Sequence, residues 1–314
     1  MTVRYLSRAD LESVDLPMAE VVEAVEQAFS EKGSGRVLMP AKHWLAPSPD
    51  RFYSAMSSVV PAAGAAACKW QAGGGNPYLT GLLLLNDHAT GLPRAIMDAT
   101  WITAKRTAAA SAVVAKYLAA PGTGTVGVIG TGVQGRTHIE ALSCVLPALA
   151  KIRAFDIDPA ALRRYATEMR DRGFEVVECA DARSVFRSAG VVVTGGPIRP
   201  DAARQVTPDW LEPGQLGIGI DYDCYWTHAA QRSVSRLFTD DLGQLEHLRE
   251  YGYFTAADEA VDFADVVTGR HRGRLSADET VLAFPIGVSV TDVTTAVRVL
   301  DRAEKLDVGV LLPL

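Results

Sequence analysis

The sequence has no apolar run of membrane-spanning length, since its longest candidates, residues 59–67 and 81–85, are far too short. It also lacks a signal-peptide core: the opening MTVRYLSRADLESVD alternates charged and apolar residues. Positive charge is in deficit, with 31 Lys+Arg against 37 Asp+Glu and a net charge of −6, and no basic cluster reverses this locally. That balance argues against a nucleic-acid surface. Cysteine is scarce. Cys68, Cys144, Cys179 and Cys224 form no C-x-x-C pair and have no zinc-like spacing with the six histidines, so buried free thiols are expected and no metal site is. There are no internal repeats and no low-complexity segment. The expectation is a soluble, cytoplasmic protein that binds neither membrane nor nucleic acid.

What is present is the composition of a globular enzyme-sized chain: 314 residues, 48% hydrophobic and 22% charged, enough for two domains. The most informative stretch is TVGVIGTGVQG, residues 125–135. An apolar run stops at Gly130, Thr131, Gly132, Val133, Gln134 and Gly135, a complete G-x-G-x-x-G, and a helix-compatible segment follows. Gly130 allows the tight strand-to-helix turn, Gly132 lets backbone amides approach a pyrophosphate, and Gly135 lets the helix pack on the strand. A second strand, residues 152–155, runs into Asp156, placed where a carboxylate bonds a ribose 2′-hydroxyl. From residue 125 onward strand and helix patterns alternate, predicting a Rossmann-type, doubly wound parallel sheet.

The first third reads as a mixed α+β domain. Asp15 and Pro17 are read as the start of a helix carrying Met18, Val21, Val22, Val25 and Phe29 at helical spacing. Strands are expected at 52–60, 65–70, 82–85 and 93–97, with a loop at Gly73, Gly74, Gly75, Asn76 and Pro77. An Ala-rich helix spans 103–119. The segment from Asp221 to about residue 265 is irregular, acidic and aromatic; a last helix covers about 291–305. The domain boundaries so drawn are 1–119 with about 292–314 for substrate binding and dimerisation, and 120–291 for the dinucleotide.

Ligands of doubly wound sheets sit at the carboxyl ends of strands, which singles out Thr194 with Gly195 and Gly196, and Asp221 at the end of GIGID. Asp221 is a candidate general acid or base, or a turn aspartate. Lys69 either snorkels outward or points into a cleft to hold a carboxylate. Arg106 falls in the first turn of the expected Ala-rich helix, where a cation opposes the macrodipole unless an anion sits beside it. Lys42 is uninformative alone, and His228 is a candidate catalytic residue, although a single histidine in such an irregular segment is more often not one.

Together these pieces resemble the ornithine cyclodeaminase/mu-crystallin family. The match is carried by Leu84-Leu85-Asn86-Asp87 with Thr90-Gly91, by TAKRTAAASA at 103–112, by AKYLA at 115–119, by the glycine motif, and by Gly273-Arg274, Gly287 and Asp292. The resemblance implies a nicotinamide cofactor, a homodimer built by the N-terminal domain, and a small amino or imino acid as substrate. It implies that Lys69 and Arg106 hold the substrate carboxylate, that Thr107 contacts the cofactor phosphates, and that Asp221 transfers protons. Lys42 stands where many members carry Arg, without the bidentate fork. The segment Tyr222 to His228 departs from the family's Pro-Gly-Lys-x-Glu-Leu type of stretch. Asp156 and Asp158 present two carboxylates where a 2′-phosphate would sit, favouring NAD over NADP, although Arg153, Arg163 and Arg164 lie near. The implied activity is oxidoreduction at a Cα–N bond, with an ammonia-eliminating cyclodeaminase or a mu-crystallin-like binding protein as alternatives.

Overall fold

The chain begins with strand β1 (Thr2–Leu6), then α1 (Arg8–Val14), α2 (Met18–Gly33), β2 (His43–Ser48), β3 (Arg51–Val60), β4 (Ala65–Gly73), β5 (Leu79–Asp87) and β6 (Pro93–Asp98). Helix α3 (Ala99–Leu118) leads into β7 (Thr125–Ile129), α4 (Val133–Ser143), β8 (Lys151–Phe155), α5 (Pro159–Asp171), β9 (Glu175–Glu178), α6 (Ala182–Phe186), β10 (Val191–Thr194) and β11 (Leu216–Gly219). Then come α7 (His228–Ser233), β12 (Arg236–Thr239), α8 (Leu242–Arg249), β13 (Val261–Asp262), α9 (Phe263–Val267), β14 (Val281–Phe284), α10 (Ser289–Leu306) and β15 (Val310–Pro313). The computed structural model describes residues 1–48, 51–75, 78–199, 201–257 and 259–314. It divides into one unit of Met1–Arg106 with Gly287–Leu314, and a second of Thr107–Ile286.

In the first unit a mixed sheet runs β15-β1-β6-β5-β4-β3-β2. β4 shows why one face is the inner one: Ala65, Ala67, Lys69, Gln71 and Gly73 are buried, while Cys68 and Trp70 between them are exposed. The period of two sets this alternation. It puts Lys69 inside and fully buried, so its side chain does not snorkel outward. Helix α10 covers the inner face over β3 and β4, and α2 packs on α10. Asp15 does not start α2; it is the left-handed C-cap of α1 at φ 45°, a short helix whose Ser7–Asp10 capping box was visible in the sequence and went unread. Asn76 and Pro77 of the expected glycine loop lie outside the described residues; Gly73 ends β4.

The second unit is a parallel sheet in the order β13-β12-β14-β11-β10-β7-β8-β9. The order reverses at β7, which lies between β10 and β8, the topological switch of a doubly wound fold. The stretch expected to be irregular after Asp221 supplies α7, β12, α8 and β13, and short strands of four residues or fewer explain why periodicity missed them. Of the thiols expected to be buried, Cys179 and Cys224 are, whereas Cys68 and Cys144 are exposed.

Candidate active site

The glycine loop follows β7. Gly130 sits at φ +94°, and a Cβ there would lie 2.2 Å from the carbonyl oxygen of Gly195, so only glycine is accommodated. A Cβ on Gly135 would lie 2.5 Å from the Gly130 carbonyl oxygen and 3.2 Å from Val128 Cγ1, because α4 is pressed onto its strand. Gly132 is different: among the described residues, nothing lies within 4 Å of where its Cβ would be. It is also the N-cap of α4, and no side chain caps that helix. The first-turn amides of α4 are therefore left for an anion, with the exposed Val133 and half-buried Gln134 at the same end. Bare backbone, a helix N-terminus and open space fit the pyrophosphate of a dinucleotide.

Asp156, at the end of β8, braces this loop: its Oδ2 accepts from the Thr131 amide at 2.7 Å and the Thr131 hydroxyl at 2.8 Å, and its Oδ1 from the Asp158 amide at 2.9 Å. Burial works to raise its pKa, but the Asp158 amide and the Thr131 amide and hydroxyl outweigh it and hold the carboxyl below its usual range. Arg153, named above as a partner for a 2′-phosphate, donates instead to the Ser184 carbonyl at 2.8 Å. Thr107 lies half-buried on α3. One helical turn on, Ser111 of the same motif meets His138 of α4, with Nε2 to Oγ at 2.9 Å and Nδ1 to the Gln134 carbonyl at 2.8 Å. Burial pushes this imidazole down to about 4, so it is a neutral strut between α3 and α4.

Asp221 follows β11 and is 1% exposed. Its Oδ1 accepts from the Thr194 hydroxyl at 2.9 Å and its Oδ2 from the Gly196 amide at 3.0 Å. Thr194 in turn accepts from Trp226 Nε1 at 3.1 Å, so its hydroxyl is committed to orienting the carboxyl. Burial pushes Asp221 up to about 7; the Gly196 amide and Thr194 hydroxyl oppose this without overcoming it. A carboxyl with that acidity can give or take a proton near neutrality. The next residue, Tyr222, is held at φ 61°, a conformation that costs a non-glycine residue and that its contacts with Tyr253 and Phe254 maintain. His228 opens α7 and pairs with the Thr255 hydroxyl at 3.1 Å.

The cations of the first unit converge on one carboxylate. Lys69 Nζ lies 2.9 Å from Asp292 Oδ1 and 3.2 Å from Thr103 Oγ1, and Arg106 Nε lies 2.9 Å from the same Asp292 oxygen. Burial, then the Arg106 charge, lower Lys69 to about 8 against the opposing pull of Asp292. Arg106 is not in the first turn of its helix. α3 starts at Ala99, where Asp98 Oδ1 accepts the Trp101 amide at 2.8 Å, so Arg106 lies two turns in and escapes the macrodipole. Gly287, at φ +93°, makes room for it: a Cβ there would lie 2.8 Å from Arg106 Nη1. Lys42 is buried just before β2. Sequence reading assigned Asp292 no role, although an acid in the first turn of the helix that follows an obligate glycine was a signal.

The chain is similar to known proteins over nearly its whole length. The chain is 34% identical over 319 residues to the nodulation efficiency protein NfeD of Rhizobium meliloti, covering 99% of this chain and 98% of that one. Among solved structures, the Thermococcus litoralis Delta(1)-pyrroline-2-carboxylate reductase in complex with NADH and L-proline superposes with a TM-score of 0.87 at 28% identity, over 98% of this chain and 99% of that chain. An archaeal alanine dehydrogenase dimer with bound NAD superposes with a TM-score of 0.89 at 29% identity over the whole of both chains. The model of the ornithine cyclodeaminase/mu-crystallin family matches residues 4–307, and the chain belongs to that family.

Proposed function

We propose that this chain is an NAD-dependent oxidoreductase acting at the Cα–N bond of a small amino or imino acid. The observation that carries the reading is Asp221, a buried carboxyl held by two donors at a strand end of the dinucleotide unit, with its pKa raised to about 7. NAD, when bound, supplies or accepts the hydride at the substrate α-carbon. Lys69 and Arg106 bind the substrate carboxylate, with Lys42 as a further cation, and Lys69 also polarises the reacting imine. Asp221 protonates the substrate nitrogen or takes its proton. The Gly130 to Gly135 loop, with Thr107, holds the phosphates, and the 89% exposed Ile157 beside Asp156 offers apolar surface to the adenine side. The carboxylates of Asp156 and Asp158 select against a 2′-phosphate.

The test follows nicotinamide absorbance with imines formed from small 2-oxo acids and ammonia or amines. Net NADH consumption, with NADPH much poorer, is the expected result. Ammonia release from ornithine or lysine without net change in NADH would assign a cyclodeaminase instead. Tight NAD binding with neither reaction would leave the mu-crystallin-like binding protein.

The reading includes a homodimer. The outer face of the first sheet exposes Trp70 at 46%, Leu82 at 48% and Leu84 at 39%, and the register places Trp70 opposite Leu82 and Leu84 opposite Cys68. A contiguous apolar face of this kind is covered in a stable assembly. Light scattering should therefore return the mass of two chains, and a single-chain mass would refute the dimer.

A further inference from the structure

The segment in which the sequence departs from its family, Tyr222 to His228, brings one side chain to the mouth of the dinucleotide fold. A Cβ built on Gly196 would lie 2.4 Å from Tyr225 Oη and 2.5 Å from its Cε2, so the phenol lies directly on the backbone of the loop after β10. That loop touches the glycine loop, since Gly195 carbonyl oxygen is the atom that forbids a Cβ on Gly130. β7 and β10 are adjacent parallel strands on either side of the switch point, and ligands of doubly wound sheets sit in the crevice at their carboxyl ends. The ring of Tyr225 is half-buried against the core formed by Phe186, Trp226 and their neighbours, and so has a fixed base. Its hydroxyl has no hydrogen-bond partner among the described residues and is not one of the sealed polar atoms.

We propose that Tyr225 is a cofactor-binding residue whose hydroxyl donates a hydrogen bond to the pyrophosphate or nicotinamide ribose of the dinucleotide, a task that falls here to a neutral phenol. The inference rests on the dinucleotide reading given above. The charges around the group favour a donor: Asp221 and Asp156 both act on Tyr225, and burial first, then these carboxylates, keep the phenol protonated. A protonated phenol offers phosphate and ribose oxygens a donor, where a further carboxylate would repel the phosphates. Gly196 is required because any larger residue would displace the ring.

The experiment measures dissociation constants by calorimetry for NAD, ADP-ribose and AMP with the wild-type protein, Tyr225→Phe and Tyr225→Ala. Tyr225→Phe keeps the ring on Gly196 and removes only the donor. It should weaken NAD and ADP-ribose by roughly fivefold, the scale of one hydrogen bond, and leave AMP unchanged. Equal affinity of Tyr225→Phe and wild type for NAD would overturn the proposal. Tighter binding by Tyr225→Ala than by Tyr225→Phe and wild type would also overturn it, identifying the ring as an obstacle. Failure of the wild-type protein to bind NAD would instead overturn the dinucleotide reading and this inference with it.

Discussion

Replacing Asp221 by Asn should lower kcat by a factor of about 10² to 10⁴, the usual contribution of a positioned proton-transfer group, while leaving the fold intact. Asn is nearly isosteric, its oxygen can still accept from the Gly196 amide at the 3.0 Å now seen, and its amide can donate to Thr194 Oγ1. Two pH profiles separate a chemical role from a structural one. With Asp221 titrating at about 7, imine reduction needs the acid form and should fall off above that pH, while amine oxidation needs the base form and should rise through it. Both limbs should vanish in the variant. Stability should move the other way. The folded-state value lies above the ordinary 3.8, so the wild-type protein binds a proton that its unfolded chain releases, and it loses stability as pH rises from about 4 through about 7. Asn does not titrate. The variant should therefore gain relative to wild type above pH 7, by up to about 4 kcal/mol if the whole rise is realised, with the difference closing below pH 4. Denaturant melts at pH 5 and pH 8 measure this; unchanged kinetics would remove Asp221 from the mechanism.

The second large effect is expected at Asp292. One of its oxygens holds both Lys69 and Arg106, and all three side chains are at least nine-tenths buried. Asp292→Asn leaves two like charges enclosed without a counter-ion, which typically costs about 3–5 kcal/mol. The loss should depend on pH with a definite sign. Lys69 titrates at about 8 when folded and at its ordinary 10.5 when unfolded, so a rising pH through this range relieves the cost of burying its charge. Without Asp292 the folded-state value falls further below 8, and because both proteins gain alike above pH 8, the variant should recover part of its deficit relative to wild type as the pH rises to about 8, leaving the share due to Arg106. A deficit under 1 kcal/mol at pH 7 would mean that the two cations do not depend on this carboxylate.

How much of this was legible in the sequence depends on whether the signal was local. The glycine loop could be read locally, because two of its glycines answer to atoms nearby in the chain or just past the adjacent strand, Gly130 to Gly195 and Gly135 to Val128, and Gly132 opens the helix that follows. The direction of Lys69 could not be decided locally, because the alternation around it, Ala67, Cys68, Lys69, Trp70, carries no clear polarity; only the covering helix α10 reveals which face is inside. Arg106 was placed in the wrong turn because the helix was expected to begin at Thr103, whereas it starts at Ala99, directly after the strand, with Asp98 accepting the Trp101 amide. Asp292 meets Lys69 across 223 positions of sequence, a pairing that no local pattern encodes. Tyr225 was hidden for the opposite reason: its segment was noticed only for its departure from the family, and its meaning lies in Gly196, 29 positions earlier.

The first sheet takes its edge strand from the far end of the chain: β15 pairs with β1, and α10 lies over β3 and β4. On the ribosome this imposes an order. Residues Met1–Arg106 emerge well before their cover, while Thr107–Ile286 form an uninterrupted stretch with its own sheet. At about 5–20 residues per second, the intervening segment takes roughly 10–40 s to synthesise. During that interval Lys69 and Arg106 have no Asp292, and the inner face of β4 has no helix. The dinucleotide unit therefore has the opportunity to fold first, and the unit that carries the two cations is completed only once Gly287–Leu314 have been made.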